Sequence, residues 1–209
     1  MGVNEMGGWE EVYKREGKVF EEAHSAMEGL MSLFRKKRVK RVLDLGSGTG
    51  RHLVLLAENG FEAYGIDISP TGVRFTEQVL KEKKLKADVR VGNIYERLPY
   101  PDGFFDAIIS VQTLHHNTAE KIRELIGEME RVLSRGGYVF VTVPSKMNQA
   151  EKFKLIEEGT YVPLDGREKG LPHHFFTKEE IRRMFSNFKI EEIYVDEAEH
   201  YAFQGAKKK

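Results

Sequence analysis

Residues 39–50 read VKRVLDLGSGTG, an aliphatic run that ends in a glycine-rich turn. Its segment VLDL is apolar nearly throughout instead of alternating with polar residues, as expected for a strand covered on both faces. Glycines let the backbone bend tightly and let a ligand approach the main chain, and a helix that begins after the turn offers free N–H groups. The stretch therefore predicts a strand followed by a ligand-binding turn, although a close-packed connection without a ligand has the same pattern.

Strand and helix patterns alternate along the rest of the chain. Further strands are predicted at 61–67, 87–93, 105–111 and 138–144, and helices at 52–59, from Ser69-Pro70 onward and from about Thr118 to Leu133. Such alternation predicts parallel strands joined by helical crossovers. The end differs, because residues 188–195 and 200–204 look like strands joined by a turn too short for a crossover helix. These two strands must therefore pair as an antiparallel hairpin.

The composition excludes several classes of protein. The 209 residues include 33 basic and 33 acidic side chains, and the resulting net charge of zero argues against a polycation that coats nucleic acid or membranes. Cysteine is absent, which excludes disulfides, thiolate nucleophiles and cysteine-ligated zinc. The sequence has neither an apolar run that could span a membrane nor a signal-peptide pattern at its start. We therefore expect a soluble, cytoplasmic protein with no membrane partner.

The spacing of the glycines limits the classes of ligand that the turn can bind. The pattern G-x-G-x-G followed by Arg51 differs from the G-x-G-x-x-G of dinucleotide sites, and the Gly-Lys-Ser/Thr ending of a phosphate-binding loop is missing. Asp67 ends the second predicted strand, where an acidic residue about 20 positions after the turn can accept hydrogen bonds from ribose hydroxyls. The pattern predicts a nucleoside with little or no phosphate. The simpler alternative for Asp67 is a helix-capping carboxylate.

Over about residues 39–145 the chain resembles the class I S-adenosylmethionine-dependent methyltransferases. The stretches that carry the resemblance follow one another in the family's order: VLDLGSGTG, GIDIS, VGNIYERLPYPDGFFDAIIS, TLHH and RVLSRGGYVFVTV. The terminal hairpin is also a feature of this family that dehydrogenases lack. The resemblance implies an α/β fold, a Rossmann-like three-layer sandwich whose mostly parallel seven-stranded sheet ends in an antiparallel β-hairpin. It also implies S-adenosyl-L-methionine as cofactor and S-adenosyl-L-homocysteine as product.

The resemblance further implies roles for the residues of the turn and the second strand. Asp44 would hold the loop or receive the cofactor's amino group through water, and Asp67 would bind the ribose. Tyr13 would pack over the ligand, as an N-terminal aromatic residue often does in this family, although ordinary core burial is an equal alternative. The methionine portion would lie against the turn residues Gly46, Ser47, Gly48 and Gly50.

The adenine and the sulfonium would lie against residues that follow the next strands. By resemblance these residues are Ile68, Asn93, Ile94, Val111, Gln112 and His115. The family usually has an acidic residue where Asn93 stands. An amide can accept from the exocyclic amine of adenine and donate to the adjacent ring nitrogen, so we expect the change to preserve function.

Two pairs of adjacent histidines raise the question of metal or base chemistry. In His115-His116 and His173-His174, neighbouring side chains on an extended chain would point in opposite directions, and no thiol or carboxylate cluster accompanies them. We therefore predict no metal site. His115 or His174 is a weak candidate for a catalytic base or substrate anchor over the methyl group, with surface or packing histidines as the alternative.

A single domain over residues 1–209 is expected. Residues 1–38 form an N-terminal helical cap with an amphipathic helix from Gly17 to Phe34, residues 39–143 form the cofactor-binding core, and residues 177–209 form a C-terminal helix and the hairpin. Residues 144–176 form an insertion at the acceptor site. Its aromatic and apolar side chains could wall a pocket for a small molecule: Met147, Phe153, Tyr161, Pro163, Leu164, His173, His174 and Phe175.

Methyl transfer to a small-molecule acceptor is the function that we predict. The basic run from Arg35 to Arg38 leaves open an RNA or tRNA base as acceptor, although a solvated connector is the simpler interpretation of that run. The terminal run from Lys207 to Lys209 is interpreted as a mobile tail. A non-catalytic protein that binds S-adenosylmethionine is a further alternative, because a nucleoside site alone does not establish turnover. The protein would act as a monomer or a homodimer.

Overall fold

A seven-stranded sheet lies at the centre of the computed structural model, which describes residues 5–145 and 152–209. The strands of the chain are β1 (Arg41–Leu45), β2 (Glu62–Asp67), β3 (Ala87–Val91), β4 (Phe105–Val111), β5 (Leu133–Pro144), β6 (Phe153–Glu157), β7 (Thr160–Pro163), β8 (His173–His174), β9 (Phe188–Val195) and β10 (His200–Lys207). The helices are α1 (Glu5–Glu16), α2 (Met27–Lys36), α3 (Arg51–Glu58), α4 (Pro70–Glu82), α5 (Ala119–Val132) and α6 (Lys178–Met184).

The order of the strands in the central sheet is β3-β2-β1-β4-β5-β10-β9. The first five of these are paired in parallel, whereas β10 runs antiparallel to both β5 and β9. This topology confirms the predicted fold class, including the hairpin at the end. The order reverses between β1 and β4, which opens a crevice at the carboxyl ends of those strands.

Helices cover both faces of the sheet. On one face, α2, α3 and α4 bury their apolar sides against residues such as Val42 and Ile109. On the other face, α5 and α6 pack against residues such as Leu43 and Ile108. The predicted 3.6-residue stripe of the helix before β5 is buried at Ile122, Leu125, Ile126, Met129 and Val132, whereas Leu133, predicted as the last residue of that helix, is the first residue of β5. The three layers follow from strands that are apolar on both sides.

The N-terminal cap differs from the prediction of one helix from Gly17 to Phe34. Gly17 and Phe20 have φ values of 72° and 56°, in the left-handed region that stops a helix, so α2 begins only at Met27. The helix α1 was not predicted, because two adjacent glycines at positions 7 and 8 weaken its helical signal. The N-terminal cap therefore consists of two helices and an irregular connection at 17–26.

The insertion contains a small antiparallel sheet with the order β6-β7-β8, which was not predicted. Residues 146–151, including Met147, lie outside the described residues. The expected mobile tail is partly wrong, since Lys207 belongs to β10 and its Nζ donates to the carbonyl oxygens of Glu130 and Leu133 at the end of α5. Among the described residues, no helix is both long and apolar enough to cross a membrane.

Candidate active site

A cavity of about 410 Å³ lies at the carboxyl ends of β1, β2 and β4. Its floor is the glycine-rich turn of residues 46–49, and its walls come from the ends of β2, β3 and β4. The N-terminal cap and the insertion line its other sides. A crevice at the point where the strand order reverses is the usual ligand site of an open α/β sheet.

The glycine-rich turn is fixed against β2 by its own backbone. The N–H groups of Gly46 and Ser47 donate to the carbonyl oxygen of Ile66, over 2.9 and 3.1 Å. Gly46 has a φ of 77°, and a Cβ there would lie 2.0 Å from the side chain of Thr113. A side chain at position 46 is therefore excluded both by conformation and by space. The turn presents main chain, rather than side chains, to the cavity.

Asp67 reaches the turn from the end of β2. Its Oδ2 accepts from Gly48 N at 2.8 Å and its Oδ1 accepts from Ser69 N at 2.9 Å. Burial raises the pKa of this carboxyl group, and the two backbone hydrogen bonds oppose that effect. Each carboxylate oxygen keeps a further lone pair for a ligand hydroxyl. Asp67 thus shapes the turn and lines the cavity at the same time.

Two residues that were predicted to contact the cofactor lie behind the turn and do not line the cavity. Asp44 is buried in β1, and its Oδ2 has no hydrogen-bond partner among the described residues. Burial raises the pKa of Asp44 to about 7. Gly50 precedes α3 with a φ of 86°, and a Cβ there would lie 2.6 Å from Thr76. Gly50 therefore allows α3 and α4 to pack closely instead of touching a ligand.

The other predicted cofactor residues are brought together in the cavity. These are Tyr13, Gly46, Ser47, Gly48, Asp67, Ile68, Asn93, Ile94, Val111, Gln112 and His115. The side-chain oxygen of Asn93 accepts from Tyr95 N at 3.0 Å, which orients the amide within the turn after β3.

Gln112 determines the path of the chain after β4. Its φ is 55°, a left-handed conformation that is uncommon for a residue other than glycine. Its N–H donates to Thr142 Oγ1 at 2.9 Å, and its side chain contacts Arg51 and His200. Its carbonyl oxygen lies 3.2 Å from His116 Nε2. The reversal at Gln112 directs the following turn back over the cavity.

An aromatic lid, formed by Trp9, Tyr13 and Phe20 of the N-terminal cap, covers the cavity. The Trp9 ring lies 5.7 Å from that of Tyr13 and 6.4 Å from that of Phe20. Arg51 supports the lid from below, with its guanidinium 5.7 Å from the Phe20 ring. A Cβ on Gly48 would lie 2.7 Å from the Tyr13 hydroxyl, so the lid rests directly on the glycine-rich turn.

Glu10 attaches the lid to the N-terminus of α4. Its carboxylate accepts from Ser69 Oγ, Thr71 N and Thr71 Oγ1. Burial alone would raise the pKa of Glu10, but these hydrogen bonds lower it to about 2. A carboxylate at this end of a helix is also stabilised by the helix dipole. Glu10 was not recognised from the sequence because the hydrogen bonds join residues far apart in the chain.

The two histidine pairs behave differently. His173 and His174 lie on a strand, so only His173 faces the cavity, while His174 contacts Thr160 and Glu180. His174 therefore cannot act over a ligand in this cavity. The expectation of opposite side chains is wrong for His115 and His116, because they lie in a turn and their ring centroids are 4.0 Å apart.

The rings of His115, His116 and His173 form a cluster in the cavity wall. His173 lies with its ring centroid 4.6 Å from that of His116, and the carboxylate of Glu168 lies 2.8 Å from His173 Nε2. Burial lowers the pKa of His116 to about 3 and holds that of His115 well below its ordinary value. Both rings are therefore neutral at pH 7. A carboxylate does accompany the histidines, contrary to the sequence-based expectation.

The insertion contributes fewer of its predicted residues than expected. His173 and Phe175 line the cavity, together with Glu168, Leu171 and Pro172, which were not predicted. Phe153 and Tyr161 pack around the Phe175 ring instead. Other cavity residues that the sequence did not identify are Arg51, Tyr95, Thr113, His116 and His200. For Arg51 and His116, direct adjacency to recognised motifs was a usable signal.

Comparison with known proteins gives a consistent family. A family model described as "Methyltransferase domain" matches residues 43–141. The mRNA cap guanine-N(7) methyltransferase of Schizosaccharomyces pombe is 30% identical over 129 residues, which cover 56% of this chain and 36% of that protein. Ajmaline N-methyltransferase of Rauvolfia serpentina is 29% identical over 109 residues, which cover 51% of this chain and 36% of that protein. The match thus spans about a third of the length of each relative.

Solved structures agree with the topology. The crystal structure of an S-adenosylmethionine-dependent methyltransferase from Methanosarcina mazei superimposes with a TM-score of 0.69 at 25% sequence identity. The superposition covers 80% of this chain and 92% of that protein. The likeness therefore extends beyond the segment that the family model matches.

Proposed function

Because the chain belongs to the class I S-adenosylmethionine-dependent methyltransferases, we propose that it transfers the methyl group of S-adenosylmethionine to a small-molecule acceptor and releases S-adenosylhomocysteine. The observation that carries this proposal is the partly enclosed cavity, with main chain and Asp67 on one side and the histidine cluster on the other. One side suits a nucleoside, and the opposite side offers room and polar groups for an acceptor.

The cofactor half of the proposal rests on the turn and its neighbours. The main chain at Gly46 and Gly48, which carries no side chains, would contact the methionine portion. The remaining lone pairs of the Asp67 carboxylate would accept hydrogen bonds from the ribose hydroxyls. Ile68 and Ile94 would contact the faces of the adenine. In this arrangement the sulfonium methyl points toward Gln112 and His115. The assignment of these roles follows the family pattern and is supported by their common position in the cavity wall.

A small acceptor is favoured by the closure of the cavity and by the position of the basic run. The aromatic lid and the insertion cover the cavity, which leaves space for a molecule of limited size. Residues 35–38 precede β1, whereas the cavity lies at the carboxyl end of that strand. The basic run is therefore at the opposite edge of the sheet, where Arg35 and Lys37 stack on Phe61 and Tyr138. The basic run therefore does not adjoin the cavity and does not offer a binding surface for RNA beside it.

The reaction would be an in-line displacement in which the acceptor atom forms a bond to the methyl carbon as the carbon–sulfur bond breaks. Such a reaction needs alignment and exclusion of water more than a strong acid or base. The aromatic lid would exclude water. An acceptor O–H or N–H would lose its proton during transfer, and the neutral ring of His115 could accept it as long as the ring's single lone pair holds no other ligand.

The experiment that tests the proposal is a screen with S-adenosylmethionine labelled in the methyl group, against low-molecular-weight metabolite pools and bulk tRNA. Label in a small molecule is the expected result. Label confined to tRNA would replace the acceptor by an RNA base, while the methyl-transfer activity itself would stand. S-adenosylmethionine binding by calorimetry without any labelled product would favour a non-catalytic binder.

A further inference from the structure

Three histidine rings meet in the cavity wall at the junction of the core and the insertion. His115 and His116 come from the turn after β4, and His173 comes from β8. One ring nitrogen of each residue lies within 4.8 Å of the corresponding nitrogens of the other two. A 2.8 Å hydrogen bond from the backbone N–H of His174 to the carbonyl oxygen of His115 fixes the turn against β8. The fold itself therefore brings the three imidazoles together.

Two ring nitrogens of this cluster are buried without a hydrogen-bond partner within the described parts of the chain: Nδ1 of His115 and Nδ1 of His116. In His116, Nε2 lies 3.2 Å from the carbonyl oxygen of Gln112. This contact favours the tautomer with the proton on Nε2 and a lone pair on Nδ1, and the backbone carbonyl of Pro172 interacts with the same ring. A buried polar atom without a partner requires an explanation, and a bound cation is a common one.

The ring of His173 lies between two hydrogen-bond acceptors, one of which is the carboxylate of Glu168. His173 Nδ1 lies 2.9 Å from the carbonyl oxygen of Leu171, and its Nε2 lies 2.8 Å from Oε2 of Glu168. Both neighbours are acceptors, whereas a neutral imidazole donates a single hydrogen. A second proton on His173 would satisfy this pair alone. A divalent cation would satisfy the pair and would also engage Nδ1 of His116 and one ring nitrogen of His115.

We propose that His115, His116, His173 and Glu168 bind a divalent transition-metal ion such as Zn²⁺. Imidazole nitrogens with one carboxylate suit zinc and its neighbours in the first transition series, whereas Mg²⁺ and Ca²⁺ prefer oxygen ligands. Hydrogen bonds from the remote ring nitrogens to backbone carbonyls, as in His116 and His173, are the arrangement that orients metal-binding histidines. The sequence-based expectation of no metal site depended on opposed side chains, and the turn at His115-His116 removes that premise.

The three ring nitrogens would have to move closer together around the ion, whereas His173 Nε2 and Glu168 Oε2, which lie 2.8 Å apart, would have to separate. Zinc–nitrogen bonds of about 2.0–2.1 Å place tetrahedral ligands about 3.4 Å apart, compared with the limit of 4.8 Å for the three nitrogens. The ion would lie in the wall of the cavity that faces the expected position of the sulfonium. A role in holding an oxygen or nitrogen atom of the methyl acceptor rests on the proposed function, whereas metal binding does not.

Metal binding is tested on the full chain, which is first treated with a chelator and then given Zn²⁺ or Co²⁺ and freed of unbound ion. We expect one Zn²⁺ per chain by elemental analysis. With Co²⁺ as the probe, we expect the visible absorption spectrum of a nitrogen-coordinated ion. The variants His116→Gln and Glu168→Gln should weaken Zn²⁺ binding by at least about 100-fold, since even the indirect supports of ligands contribute about 10- to 100-fold. His174→Gln is the matched control, because His174 is adjacent to His173 but faces Thr160 and Glu180. It should bind Zn²⁺ like the unchanged chain.

The Tm of each variant, measured with and without Zn²⁺, separates a loss of metal binding from a loss of folding. Zn²⁺ should raise the Tm of the unchanged chain and of His174→Gln, and should leave the Tm of His116→Gln unchanged. The proposal is overturned if the unchanged chain binds no ion, or if His116→Gln and Glu168→Gln bind it as tightly. Calorimetry with S-adenosylmethionine on the metal-free chain separates the two proposals. Cofactor binding without metal binding would leave the proposed function intact, and transfer that is equally fast with and without Zn²⁺ would remove the acceptor role alone.

Discussion

Replacement of Gly48 by alanine separates two effects that the glycine-rich turn combines. Gly48 has a φ of 54°, so an alanine there carries the cost of left-handed backbone, about 1–2 kcal/mol. Its Cβ would also lie 2.7 Å from the Tyr13 hydroxyl, closer than real Cβ contacts allow. Overpacking of a buried contact costs about 1–3 kcal/mol. We therefore expect Gly48→Ala to lower the free energy of unfolding by about 2–5 kcal/mol.

Gly60 provides a matched control for this prediction. It has a φ of 82°, but a Cβ on Gly60 would meet no atom within 4 Å. Gly60→Ala should therefore cost the backbone contribution alone, about 1–2 kcal/mol. Tyr13→Phe provides the complementary test, because the next ring atom, Tyr13 Cζ, would lie 3.6 Å from the new Cβ, an ordinary contact. The double variant Tyr13→Phe/Gly48→Ala should recover most of the overpacking cost.

Urea unfolding of the unchanged chain and of the four variants measures these differences in the free energy of unfolding. Calorimetry with S-adenosylmethionine measures the effect of each substitution on cofactor binding. Gly48→Ala should weaken cofactor binding by about 10- to 100-fold, since about 1.4 kcal/mol corresponds to tenfold. Gly60→Ala should leave it unchanged, because Gly60 lies outside the cavity. Equal destabilisation by Gly48→Ala and Gly60→Ala, or no recovery in the double variant, would refute the contact between the lid and the turn.

Three further predictions concern the ribose carboxylate, the lid and the core. Asp67→Ala should weaken S-adenosylmethionine binding by about 1–3 kcal/mol in calorimetry, because ribose hydroxyls and two backbone N–H groups lose an acceptor. The pKa of Glu10 is lowered to about 2, so its attachment of the lid is complete above pH 4.5 and is lost as the pH falls toward 2. Fluorescence of Trp9, the single tryptophan, should report that release, and Glu10→Gln should abolish its acid transition. Phe203→Ala, in the fully buried hairpin core, should cost about 3–5 kcal/mol in urea unfolding.

Each of these has a distinct contradicting outcome. An unchanged dissociation constant for Asp67→Ala would remove that carboxylate from the cofactor site. An acid transition of Trp9 fluorescence that is the same in Glu10→Gln would show that another group holds the lid. A loss below about 1 kcal/mol for Phe203→Ala would mean that the hairpin does not belong to the cooperative core.

The strands of the central sheet could be predicted because their signal is local. Phe105–Val111 and Phe188–Val195 were predicted with the bounds that the structure has. The first is a largely apolar run, the second combines aromatic and β-branched residues with charged ones, and each is followed directly by a polar residue. The antiparallel ending followed from the short turn before His200, which leaves no room for a crossover helix. Helix starts at Ser69 and Thr177 were also recognisable, because both side chains cap the helix that follows.

The N-terminal helix could not be predicted because its stability is not local. Two glycines near its start lower its intrinsic helix propensity. What holds it is the set of hydrogen bonds from Ser69 and Thr71 to Glu10, together with the contact of Tyr13 with the glycine-rich turn. These contacts join residues that are far apart in the chain. Tertiary packing therefore overrides the local preference.

The histidine cluster was hidden for a different reason. If the chain continued as a strand after Val111, the side chains of His115 and His116 would point in opposite directions. The left-handed conformation of Gln112 prevents this, and glutamine is not a residue type that predicts such a conformation. The convergence of His173 on this turn depends on the register of the small sheet in the insertion. The sequence identified most of the cofactor side of the cavity because motif spacing determines it. The opposite wall depends on backbone reversals that spacing does not encode.

The most direct test of the central claim is a crystal structure of the chain with S-adenosylhomocysteine. We predict the adenosine in the cavity above the glycine-rich turn, with both ribose hydroxyls within hydrogen-bonding distance of the Asp67 carboxylate. The sulfur should face the turn that contains His115. A nucleoside bound outside this cavity, or a ribose that makes no contact with Asp67, would contradict the account.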